Sequence, residues 1–255
     1  MRNNMKKVVA GTRSKLTRVD HGETYGRHIL KKATRNLKPS LCVDLGCGGG
    51  DDLLIIKNRN HNCRCVGIDF RGWNKEKLTS LDIELLEINV ENQPLPFDDE
   101  SVDIIIANQI FEHAKEIYWI NHEIFRSLKI GGYLYLGVPN VLSFHNRILG
   151  IFGIHPTNAK LISAHIRSFS KKDTFLFYRE IGRGVVSIES FYGSQFYPFP
   201  KMLARPLATV FPSLAFSIFF LIRKTAKYNN EFIEWPSMVR LETNYYTGAA
   251  QNKNF

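Results

Sequence analysis

Between residues 41 and 139 short apolar runs alternate with helix-like stretches, and this alternation limits the fold more than any other feature. The runs at 41–46, 64–69, 83–89, 101–108 and 131–139 read as strands, with helical patterns near 50–58, 74–80 and 114–128 between them. Strands joined through helices need crossover connections, which give a parallel sheet covered on both faces. The run SVDIIIAN at 101–108 has the continuous apolar character of a strand buried on both sides. A helix is expected over 22–37 ahead of the first strand. After Pro139 the rhythm breaks for about thirty residues, too long for a plain connection, so 140–169 is expected to be an insertion that covers a substrate. Ser170 and Asp173 then mark a capped helix closed by Gly182, followed by a strand at 184–193 and a closing strand, SIFFLIRKT, at 217–225. The expectation is a doubly wound, mostly parallel seven-stranded α/β sheet with an insertion after its fifth strand. It divides the chain into a basic arm (1–21), the domain (22–228) and a C-terminal tail (229–255).

The net charge of +10 is not spread over this domain. Residues 1–40 hold 11 Lys and Arg against two acids, whereas the remaining 215 residues carry 23 bases and 22 acids. A basic arm on a nearly neutral body reads as a solvated tail or as a contact for an anionic surface, and it makes nucleic acid an unlikely partner of the body itself. The arm has no apolar run suited to a signal peptide, although it is basic and poor in acid as transit peptides are. The four cysteines, all before residue 66, fit no common zinc spacing and are expected to be buried free thiols in a reducing compartment. Localisation is therefore expected to be cytoplasmic. Seventeen uncharged residues between Arg205 and Arg223 approach the length of a membrane span, but Pro206 and Pro212 interrupt them. Residues 198–222 are read as a closing strand preceded by a segment that could touch a membrane interface.

The stretch CVDLGCGGGDD, residues 42–52, ends the first strand in glycines. Doubly wound sheets bind nucleotides at such a turn, because glycine lets a ligand reach the backbone and the next helix offers free N–H groups. A dinucleotide motif would need glycine at position 51, where this chain has Asp51, and a pyrophosphate would also meet Asp44 and Asp52. Those acids suit a ligand that is cationic at this end, such as a sulfonium nucleoside bearing an amino-acid ammonium.

VDLGCGGG resembles the first motif of class I S-adenosylmethionine (AdoMet)-dependent methyltransferases, and further motifs follow in order. VGIDF (66–70) resembles the second-strand motif, and INVENQPLPFDDESVDIIIANQIFEH (88–113) is similar to the signature of the type-11 branch. The resemblance implies AdoMet as cofactor, held by Asp44, Gly46, Gly48, Gly50, Asp69, Phe70, Asn89, Val90 and Asn108. Asp69 would accept hydrogen bonds from the ribose hydroxyls, and Asn89, where the branch usually has Asp, would accept one from the adenine amino group. Glu112 and His113 match the cofactor-facing edge, and AHIRSFSKKD (164–173) resembles a stretch that brings His165 and Arg167 to the active-site mouth.

Methyl transfer from a sulfonium requires alignment and, for a neutral hydroxyl, a base; it requires no metal, and none is expected. His113 and His165 are the candidate bases, with Glu112 and Arg167 as candidate substrate contacts. The place after the fourth strand reads Asn-Gln-Ile-Phe, not the Asn/Asp-Pro-Pro-aromatic run of base amino-methylation, and no cysteine follows position 65 to serve cytosine C5 methylation. The expected acceptor is a hydroxyl, carboxyl or carbon on a small molecule, sugar or lipid-linked carrier. The block from Lys224 to Gly248 resembles tails of bacterial enzymes associated with surface-polysaccharide and lipid biosynthesis, which favours the last of these. Two other readings share the same motifs: a non-catalytic AdoMet-binding partner, and an RNA-directed enzyme that uses the basic arm.

Overall fold

The computed structural model describes residues 21–242 and 244–248. Most of the basic arm, residues 1–20, lies outside the described residues, as do 243 and 249–255. A helical turn at His21–Thr24 leads to α1 (Arg27–Ala33), and the core alternation follows: β1 (Leu41–Leu45), α2 (Asp51–Lys57), β2 (Arg64–Asp69), α3 (Lys75–Ser80), β3 (Glu84–Glu87), β4 (Val102–Asn108), α4 (Ile117–Ser127) and β5 (Leu128–Pro139). The insertion carries α5 (Phe144–Ile151), after which come α6 (Lys171–Glu180), β6 (Val186–Ser194), α7 (Lys201–Val210), β7 (Ser217–Lys224) and α8 (Glu231–Met238). The seven strands form one sheet in the order β3-β2-β1-β4-β5-β7-β6, with β7 antiparallel to both neighbours and the other pairings parallel. This is the expected α/β architecture. The carboxyl ends of β1 to β5 consequently share one edge, the edge on which such sheets bind ligands.

Alternation along each strand sends side chains to two separate cores. Val43 and Leu45 of β1 pack with Ile105 and Ala107 of β4 under α4 and α6, while Cys42, Ile104 and Ile106 face α1 and α2. Asp44 follows the second set. All four cysteines are buried and free.

The helix expected over 22–37 is interrupted, because Gly26 takes a left-handed conformation (φ 56°) and a Cβ there would overlap the Phe219 ring. Residues 198–222 divide at Pro212, whereas Pro206, expected to interrupt the segment, lies inside a helix because a helix tolerates it within its first two turns at the cost of one hydrogen bond. β7 is buried between β5 and β6, whereas 201–210 forms a helix whose Ala204 and Ala208 pack with Phe196 and Ala215. Among the described residues no helix is long and apolar enough to cross a membrane. The C-terminal segment packs on the domain: Phe232 of α8 is fully buried and stacks on Phe125 of α4, with ring centroids 5.1 Å apart. Tyr245 and Tyr246 cover Tyr118 and Trp119 edge-on.

Candidate active site

The turn after β1 is shaped by its glycines. Gly46 has φ 70°, and a Cβ on it would meet Ile110 at 2.9 Å; Gly50, at φ 77°, would press one onto buried Leu78 at 2.5 Å. Both conditions exclude a side chain. Gly48 is also left-handed but has open space around it, and its N–H donates to Asp69 Oδ2 at 3.3 Å. Asp69 Oδ1 accepts a second bond, from the Arg71 N–H at 3.2 Å. These bonds fix the carboxylate at the end of β2 with lone pairs left over for a diol.

A cleft of about 400 Å³ opens beside this turn, lined by Gly46, Asp69, Phe70, Asn89, Val90 and Ile110, with His113 at its other side. Phe70 is mostly exposed, and the Arg71 guanidinium lies 4.6 Å from its ring centroid. Asn89 carries an internal turn: its Oδ1 accepts the Glu91 N–H at 3.1 Å and its N–H donates to Gln93 Oε1 at 2.7 Å. An adenine amino group would share that oxygen with Glu91.

Asp44 and Asn108 do not line this cleft. They lie on the opposite face of their strands, towards the N-terminal segment, where Asn108 Nδ2 donates to Asp52 Oδ2 at 2.7 Å and to the Tyr25 carbonyl at 2.9 Å. Asn108 Oδ1 is buried and has no partner. Asp44 is 3% exposed, with no hydrogen bond to its carboxylate among the described residues. Burial raises its pKa well above the usual carboxylate range and neighbouring Asp52 adds to this, while Arg27 opposes it. Asp52 is raised as well, first by burial, against the hydrogen bond from Asn108. This acidic pocket has a cation that the sequence reading missed: Arg27 reaches Asp51 at 3.0 Å and Asp52 at 3.2 Å.

On the other side of β4, His113 and His165 are brought together from 52 residues apart, ring centroids 4.8 Å and nearly perpendicular. Each imidazole Nδ1 faces a backbone carbonyl, of Ala164 at 3.2 Å for His113 and of Asn158 at 3.0 Å for His165. Both rings thus donate through Nδ1 and leave Nε2 basic. Burial lowers the pKa of His165. Glu112 is 1% exposed and lies beneath them, its Oε1 3.9 Å from His113 Nε2. Burial pushes its pKa up to about 8, against a hydrogen bond from its own amide. Its backbone carbonyl accepts the N–H groups of Ile166 and Arg167, which ties the end of the insertion to this turn.

Arg167, expected as a substrate contact, lines a second cavity and is held on the backbone. Its Nε donates to the Ala114 carbonyl at 3.0 Å and Nη2 to that of Lys115 at 2.6 Å. The guanidinium clamps the insertion, beside that cavity of about 330 Å³ lined by Phe111, Leu136, Ile166, Phe169 and Phe177. His145, also in the insertion, is held by Thr157 at 2.9 Å.

A parallel sheet with a glycine turn after β1, an acid at the end of β2 and a cleft across the ends of β1 to β4 defines the Rossmann-like methyltransferase class. Residues 43–136 match the family model described as a methyltransferase domain, Methyltransf_11, and in this stretch the chain is similar to class I AdoMet-dependent methyltransferases.

Solved structures agree in fold. A chain of the complex between the Haloferax volcanii Trm112 methyltransferase activator and its methyltransferase is 19% identical, with a TM-score of 0.58 over 81% of this chain and 90% of that one. An Aquifex aeolicus AdoMet-dependent methyltransferase is 16% identical (TM-score 0.55; 84% and 96% covered). The Burkholderia thailandensis 1,6-didemethyltoxoflavin N1-methyltransferase, solved with its substrate and S-adenosylhomocysteine, is 13% identical (TM-score 0.54; 81% and 80% covered). A protein of Streptomyces fradiae described as an uncharacterized 37.1 kDa protein in transposon TN4556 is 30% identical over 106 residues, or 38% of this chain and 30% of that protein's length.

Proposed function

We propose that this chain transfers the methyl group of AdoMet to an oxygen or carbon of a lipid-linked or glycan acceptor. The observation that carries the donor half is the convergence of Gly46, Asp69, Asn89 and Val90 in one cleft with His113 at its side. In this reading adenosine occupies the cleft, Asp69 holds the ribose diol and Asp44 faces the ammonium. The acceptor atom attacks the methyl carbon in line with the sulfur. The C–S electron pair passes to sulfur, and S-adenosylhomocysteine leaves. Where the acceptor is a hydroxyl, its proton passes to the His113–His165 pair, whose free Nε2 atoms suit that role. Glu112 lies under that pair.

The surface around the insertion supports an amphiphilic acceptor. Leu161 and Ile162 are 97% and 96% exposed, four and three residues ahead of His165. Ile151 and Phe152 at the end of α5 and Met202, Val210 and Phe211 in and after α7 are also exposed. Lys160, Lys171, Lys172 and Lys201 accompany them in sequence. Exposed apolar side chains among bases suit an anionic amphiphilic surface.

Thermal unfolding with and without S-adenosylhomocysteine tests the donor half, with NAD and Asp69→Ala as controls. Ligand at 100 times its Kd adds about 2.7 kcal/mol, or about 5–10 °C, in the parent only. No shift in folded protein would refute the reading. Transfer of labelled methyl to a lipid-linked glycan fraction is the expected result for the acceptor half; label confined to soluble metabolites would refute it.

A further inference from the structure

Glu112, His113 and His165 present one ligand atom each within 4.8 Å of one another. We infer that these three residues form a binding site for a divalent first-row transition ion, with zinc the best match, at the junction of the insertion and the donor cleft. Four observations converge on it. The Glu112 carboxyl is buried and its Oε2 has no hydrogen-bond partner, so a polar atom has been taken from water without a donor to receive it. The Nε2 of His113 is close to Oε1 at 3.9 Å, too far for a hydrogen bond between them. Both imidazoles donate Nδ1–H to backbone carbonyls, which is the outer support that fixes the tautomer and direction of metal-ligating histidines. The third ligand is held to the first two by main-chain bonds, since the N–H groups of Ile166 and Arg167, directly after His165, donate to the Glu112 carbonyl.

Ligand atoms about 2.1 Å from a tetrahedral zinc ion stand about 3.4 Å apart. Small side-chain rotations therefore close the trio onto an ion without moving the backbone. Two imidazoles and a carboxylate select zinc, manganese, iron or cobalt over magnesium or calcium, which prefer all-oxygen sites. Three protein ligands leave an open coordination position, as catalytic rather than structural zinc sites do. Because His113 also lines the donor cleft, that position suits an oxygen of the acceptor; with an ion bound the two Nε2 atoms are ligands, and the pair serves as base only in the metal-free protein. The nearby guanidinium of Arg167 is held on the carbonyls of Ala114 and Lys115. Only the assignment of the open position to the acceptor rests on the methyltransferase reading; the metal site does not.

The test uses the untagged full chain, freed of metal by chelator and titrated with Co²⁺ and then Zn²⁺. One equivalent of Co²⁺ should develop visible d–d absorption and lose it when Zn²⁺ displaces the cobalt. Glu112→Gln and His165→Ala should each weaken Zn²⁺ binding at least about tenfold. The S-adenosylhomocysteine thermal shift, measured on the same samples, reports folding and the donor site. Absence of the cobalt spectrum, or Zn²⁺ affinity unchanged in both variants, would overturn the metal site whatever the thermal shift shows. A normal metal titration with no thermal shift would leave the site standing and overturn the methyltransferase reading.

Discussion

Replacing Asp44 by Asn removes the charge of this carboxyl while keeping its shape. Asp44 is buried at the end of β1 beside Asp52, and burial followed by that neighbour raises its pKa. In the free protein this carboxyl therefore retains its proton above the ordinary range, whereas a ligand ammonium favours the ionised form. Binding then releases a proton. The parent's affinity for S-adenosylhomocysteine should rise with pH, by up to tenfold per unit, from about pH 4 until the raised pKa is passed. In Asp44→Asn that slope falls away, because only the neutral hydrogen bond remains. Loss of one partner from a buried charge pair costs about 2–5 kcal/mol. Asp52 lies close enough to keep part of the negative potential, so the lower bound applies, about 2 kcal/mol or about 30-fold in Kd. The stability of the free protein should move the other way. A carboxyl with a raised folded pKa contributes stability below its unfolded pKa, and that contribution is lost as pH rises through the folded value. The Asn variant lacks this loss and should be the more stable of the two at neutral pH. Isothermal titration in buffers of different ionisation enthalpy reads both the affinity and the proton count. Equal affinity and an equal proton count in parent and variant would refute the placement of the ammonium at Asp44.

Asn89→Asp should tighten S-adenosylhomocysteine binding by about 1 kcal/mol, about fivefold, because a carboxylate can serve both the Glu91 N–H and an adenine amino group; weaker binding by calorimetry would place adenine elsewhere. Gly50→Ala should destabilise the fold by about 3 kcal/mol through left-handed strain and the approach to Leu78, read as a fall of about 10 °C in Tm. Glu23 is buried yet its pKa is lowered: burial alone would raise it, but hydrogen bonds from Arg205 and Lys201 prevail. The stability it supplies is present above its ordinary pKa and lost as pH falls below about 4.5, so the thermal penalty of Glu23→Gln should be larger at pH 6 than at pH 4. An equal penalty at both would show that these ion pairs do not hold α7.

The sheet was legible because its strands are defined locally, by apolar runs that end at Gly46, Asp69, Asn108 and Pro139. The cleft-lining Gly46, Phe70 and Asn89 were legible for the same reason, since each falls within two residues of a strand end. What the sequence concealed depends on tertiary contact. Nothing near Gly26 announces that Phe219, from the other end of the chain, packs against it and breaks the first helix. Arg27 is one base among many in a basic segment, and only the fold sets it on Asp51 and Asp52. Arg167 offers a cation for which the sequence leaves open a substrate anion or the loop backbone, and the fold sets it on the carbonyls of Ala114 and Lys115. Residues 229–248 look like a polar tail because their few aromatic side chains find α4 only in the folded chain.

The two halves of the site consequently differ in how they can vary. The donor half is built from backbone turns at strand ends, where Gly46 and Gly50 tolerate no side chain and Asp69 is oriented by main-chain N–H groups. The acceptor half is built from side chains that arrive through the insertion, and its link to the sheet is the carbonyl of Glu112, which receives Ile166 and Arg167. No residue between 142 and 163 lines the cleft, so this stretch is the part of the chain freest to vary with respect to it. In the proposed function, specificity for the acceptor then resides in the insertion and its exposed apolar edge. Glu112 is where the halves meet, since one residue anchors the insertion through its carbonyl and faces both histidines through its carboxylate.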